Sequence, residues 1–63
     1  MRFLKEYANF KIRRLKADRE WCEKGTPRYD EYGRGIEKIE KIVYLANSGT
    51  ILLDEAMEYI ARV

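Results

Sequence analysis

Histidine is absent, and cysteine, proline, tryptophan and serine occur once each. Without histidine, the side chain that most often exchanges protons near neutral pH is missing. A lone cysteine excludes an intrachain disulfide, and with no histidine beside it no zinc ligand set can be assembled within one chain. Cys22 falls on an apolar seam and reads as a buried structural thiol rather than a nucleophile, which needs an exposed, electropositive setting. Ser48 stands beside Gly49 with no candidate base near it in sequence, so a loop-capping role is expected.

Other absences are equally restrictive. No apolar run approaches the ~18 residues of a membrane span, and Met1–Glu6 carries charge too early for a secretory signal. With one unpaired thiol, these features fit a reducing cytoplasm, and no membrane partner is expected. Gly33-Arg34-Gly35 lacks the third glycine, the Lys-Ser/Thr pair and the preceding strand of a phosphate loop. Carboxylate metal sites in helical bundles draw on inward Glu-x-x-His pairs, which this chain cannot supply. Glu37-Lys38 and Glu40-Lys41 instead fall opposite an isoleucine seam, as a solvated face. The expectation is a protein that is not an enzyme, with no catalytic residue, cofactor or metal.

Sixty-three residues make one domain, near the lower limit for a chain that folds unaided. The stabilising devices left to it are good helix packing and oligomerisation. Charge is uneven. Residues 1–24 hold eight Lys/Arg against four Asp/Glu, residues 25–34 are neutral, and residues 35–63 hold three against five.

The most informative stretch is Phe3 to Lys24, predicted as one long amphipathic helix with two apolar seams. One is aliphatic: Leu4, Ala8, Ile12, Leu15 and Cys22, with Arg19 intruding. The other is aromatic-rich: Phe3, Tyr7, Phe10, Ala17 and Trp21, with Arg14 intruding. Each recurs every three or four residues, which keeps its members on one flank. One stripe docks a helix on a core, so two adjacent stripes imply two things to pack against. Lys24 in the last turn, paired with Glu20, and Gly25 as a left-handed stop would end it.

Thr26-Pro27 signals a second helix, with Thr as N-cap and Pro at the first position. From there Tyr29, Tyr32, Ile36, Ile39, Val43 and Ala46 step by three and four, predicting a helix from Pro27 to about Ala46. The seam keeps phase across Gly33 and Gly35, so the helix is expected to continue through them despite a cost of up to ~1 kcal/mol each. The competing possibilities are a break there, or glycines that mark where another backbone comes close. Asn47-Ser48-Gly49 ends helix 2, and Thr50 is the expected N-cap of a third helix over Ile51 to Arg62, with Leu53, Ala56, Met57 and Ile60 inward.

The fold expected is all-α: a long antiparallel helical hairpin plus a short third helix, dimerising into a helical bundle. The aromatic seam has three possible destinies: the chain's own core, a homodimer interface, or a patch for a foreign protein. Its Trp, Tyr and Arg content matches interface hot spots, which nominates Phe3, Tyr7, Phe10, Arg14 and Trp21 as partner-binding residues. The leading functional expectation is a non-enzymatic protein–protein interaction module that binds itself and a larger protein, as regulator or inhibitor. Short, freestanding chains without catalytic groups are the kind that phages and mobile elements use as inhibitors. The alternative is nucleic-acid binding through Lys11, Arg13, Arg14, Lys16 and Arg19 beside aromatic rings. Glu6, Glu20 and Glu23 on the outer face weigh against it, and a helix-turn-helix reader in helix 3 would present Asp54, Glu55 and Glu58 to phosphate.

Overall fold

In the computed structural model, which describes residues 2–63, the chain forms α1 (Arg2–Glu20), α2 (Pro27–Asn47) and α3 (Leu53–Arg62). Among the described residues there is no strand, and each helix packs against the other two in an arrangement consistent with a bundle.

The core is assembled symmetrically from the three helices. Each contributes one large, fully buried aliphatic side chain: Leu4 from α1, Ile39 from α2 and Ile60 from α3. Each also contributes one buried alanine, Ala8, Ala46 and Ala56. Small residues let helix axes approach, and the aliphatic side chains fill the space left between them. Half-buried Ile12, Leu15, Ile42, Val43, Ile51 and Met57 extend this cluster. The aliphatic seam of α1 is therefore its inward face.

Helix α2 starts as its sequence demands. The Thr26 side chain accepts from the Tyr29 N–H at 3.3 Å, and Pro27 opens the first turn. It then runs unbroken through Gly33 and Gly35. What comes close to Gly35 is side chains and not another backbone: a β-carbon there would lie 3.1 Å from Val63 Cγ1 and 3.4 Å from Leu15 Cδ1.

Two helix ends differ from expectation. α1 stops at Glu20, not Lys24, so Arg19 and not Lys24 is the cation of its last turn, and Glu20 and Lys24 no longer form a helical pair. The i→i−3 bonds Trp21 N–H to Asp18 C=O (3.2 Å) and Cys22 N–H to Arg19 C=O (3.0 Å) tighten and end it. Gly25 does take φ +88°, but inside the connection that returns the chain to α2. Thr50 does not cap α3. Its N–H donates to the Leu45 carbonyl at 2.9 Å while that of Gly49, at φ +81°, donates to Ala46 at 3.2 Å. This pair of bonds is a Schellman motif, so Thr50 belongs to the end of α2. α3 begins two residues later than Ile51, after Leu52, without a side-chain cap, and Leu53 is 41% exposed instead of inward. Among the described residues, no helix is long and apolar enough to cross a membrane.

Candidate interaction surface

At 100° per residue, Phe3, Phe10 and Ala17 lie roughly 130° around α1 from the buried Leu4 and Ala8. The lone chain leaves this flank uncovered. Phe3 is 80% exposed, Phe10 57% and Trp21 91%, with Arg14 and Ala17 also exposed between them. α3 therefore does not enclose the aromatic seam. Two members depart from the predicted stripe: Tyr7 is half-buried and packs against the core cluster, and Trp21 sits just beyond the helix, in the turn.

The two arginines that interrupt the seams behave differently. Arg19, on the aliphatic seam, is half-buried, with its guanidinium carbon 5.2 Å from the centroid of the Tyr29 ring, a cation–π contact. Its stem covers apolar surface while its charge meets a ring face, which explains how a cation occupies an inward position. Among the described residues, Arg14 has no such ring. Cys22 is half-buried rather than buried, and its Sγ lies 3.8 Å from the Asp18 carbonyl oxygen.

The cations nominated for nucleic acid do not share a face. Lys11 and Arg14 line a small cleft with Asp18, Tyr32 and Val63, Arg19 is turned to Tyr29, and Arg13 and Lys16 lie on the opposite side of α1.

One feature escapes inspection of the seams. A groove of about 780 Å³ between α2 and α3 combines exposed Arg34, Lys38 and Lys41 with half-buried Ile42, Leu45 and Val63. The spacing i, i+4, i+7 of its three cations was the available signal, masked by their alternation with Glu37 and Glu40. Arg62, also on the groove, is paired with Glu58 at 2.6 Å, a solvent-exposed contact of little energetic weight. No cluster of three or more His, Cys, Asp or Glu that could hold a metal ion occurs among the described residues.

Compared with known proteins, the chain matches no protein-family model, no curated protein and no solved structure.

Proposed function

We propose that this chain is a small non-enzymatic helical interaction module that associates with itself through the aromatic flank of α1 and acts as a regulator or inhibitor of a larger protein. The observation that carries it is the pairing of opposite faces on one helix. Leu4 and Ala8 are buried, while Phe3 and Phe10 stand in solvent on the other flank, with exposed Trp21 in the turn just beyond the helix. Large exposed aromatics repeated along one helix flank mark an interaction surface more strongly than singly scattered exposed residues do. α1 and α2 are read as an antiparallel hairpin. Arg19 meets Tyr29 and approaches Gly33, and Leu15 approaches Gly35, so positions rise in one helix as they fall in the other. Two such hairpins side by side make a four-helix core, with α3 at one end.

Sedimentation equilibrium across a range of concentrations tests the self-association. A mass rising from one chain towards two, and reverting in Phe10→Ser, is the expected result. A mass of one chain throughout removes it. Trp21 is the sole tryptophan, so its emission moves to the blue as association covers it.

The second reading, nucleic-acid binding through Lys11, Arg13, Arg14, Lys16 and Arg19, is tested by titrating labelled single- and double-stranded oligonucleotides at two salt concentrations. Binding that collapses with salt and with Arg13→Ala/Lys16→Ala supports it, and no binding at low salt ends it. The dispersal of these cations around α1 favours the protein-interaction reading.

A further inference from the structure

We infer that the occupant of the aromatic flank is a second copy of the same flank, running antiparallel about a two-fold axis near Ile12. This rests on the self-association proposed above and names its geometry.

Residues 3, 7, 10, 14, 17 and 21 alternate steps of four and three, the seam that lets two helices interlock. Any such seam can meet a copy of itself in either direction, so the side chains decide. In a parallel pair every residue faces its own counterpart. Arg14 then meets Arg14, a like-charge contact in a partly dried interface, and Ala17 meets Ala17, which leaves a gap between larger neighbours. In an antiparallel pair centred on Ile12, Tyr7 faces Ala17 and Phe10 faces Arg14 of the other copy, each twice, and Phe3 comes opposite the turn that carries Trp21. Large meets small in the middle layer, ring meets ring at the ends, and each guanidinium gains a ring face. The same chemistry already operates inside the chain, where Arg19 sits over Tyr29.

Size is adequate. The six exposed rings of two copies, at ~150–200 Å² each, contribute roughly 1,000 Å² before Tyr7, Arg14 and Ala17 are added, near the lower end of stable interfaces. Arg14, Phe3, Phe10 and Trp21 are all accessible in the lone chain, with Arg14 at the edge of the flank, where it lines the cleft with Tyr32 and Val63.

Three measurements on the full chain decide it, with circular dichroism showing that each variant folds. Phe3 and Trp21 lie at opposite ends of α1, roughly 25 Å apart at the helical rise from Phe3 to Glu20, so Phe3 can touch Trp21 only across two copies. At concentrations where the dimer forms, Phe3→Ala shifts Trp21 emission to the red. Arg14→Ala weakens association roughly tenfold, because two cation–ring contacts are lost, whereas in a parallel pair it relieves repulsion and strengthens association. Mild oxidation yields no disulfide-linked dimer, since the two Cys22 residues lie ~30 Å apart. Tighter association of Arg14→Ala, ready Cys22–Cys22 crosslinking, or a Trp21 emission indifferent to Phe3→Ala in an established dimer each overturns the antiparallel register and leaves self-association standing. A single-chain mass at all concentrations removes both.

Discussion

Gly33 and Gly35 are two residues apart in the same helix, yet alanine at the two positions should have different effects. Both lie in the interior of α2, where alanine is favoured over glycine by about 0.8–1.0 kcal/mol. At Gly33 the nearest atom to an added β-carbon is Arg19 Nη1, at 3.9 Å, an ordinary contact with the end of a flexible side chain. Gly33→Ala therefore realises nearly the whole gain, which for a domain of this size raises the melting temperature by roughly 4–7 °C. At Gly35 the β-carbon meets Val63 Cγ1 at 3.1 Å and Leu15 Cδ1 at 3.4 Å, so neighbours must yield by a few tenths of an ångström. That cost offsets the propensity term, and Gly35→Ala is expected within about 0.5 kcal/mol of neutral. Gly35→Val adds two further methyl groups to a filled contact and destabilises by about 1–3 kcal/mol. Urea titrations followed by far-ultraviolet circular dichroism give the three values, compared at unchanged slope so that only stability differs. Loss of stability in Gly33→Ala would mean that α2 breaks at the glycines. An equal gain at both positions would mean that Val63 and Leu15 do not converge on Gly35.

Two further substitutions probe the helix ends and the inward cation. Thr26→Ala removes the acceptor for the Tyr29 N–H and costs about 1 kcal/mol, whereas Thr50→Ala, which loses only a hydroxyl contact with Ser48 at 2.9 Å, stays within about 0.5 kcal/mol; chemical denaturation of the pair reverses this order if Thr50 caps α3 after all. Arg19→Ala gives up the ring contact with Tyr29 and the cover of its stem, a loss of about 1 kcal/mol, and the same loss measured in a Tyr29→Leu background would show that the two side chains do not interact.

What was legible in the sequence was local chemistry and period. Thr26-Pro27 is written as a helix start because an oxygen at the cap and a fixed φ at the next position act within three residues, and the structure uses both. The seam across Gly33 and Gly35 was legible because phase carries through glycine even where propensity objects. The end of α1 was not. Residues 21–24 include no helix breaker, and the need for the chain to turn back there comes from α2, not from those residues. Thr50 looks like a cap to any reading of sequence alone, since its N–H is claimed by Leu45 only once the Schellman turn at Gly49 has formed. Nor did the sequence show which seam of α1 faces inward, because both have the same spacing. Size decided it: Ala8 on the aliphatic seam matches Ala46 and Ala56, and a phenylalanine in its place would hold the three helices apart.

The two intruding arginines carry the remaining step from fold to partner. A cation on an apolar seam raises the cost of burying that seam unless its charge is met. On the inward seam it is met, because Tyr29 lies under Arg19 when α2 docks. On the outward seam Arg14 is exposed at the rim of the cleft with Asp18 and Tyr32, and Phe3, Phe10 and Ala17 are exposed with it. A partner that covers Phe3, Phe10 and Trp21 must also supply something for Arg14: a carboxylate, a carbonyl or a ring. A second copy placed antiparallel would bring Phe10 to Arg14 and the small Ala17 opposite Tyr7. This is why Arg14→Ala is the sharpest variant available. It leaves the fold of the single chain untouched, and the sign of its effect on association reports which way the second helix runs.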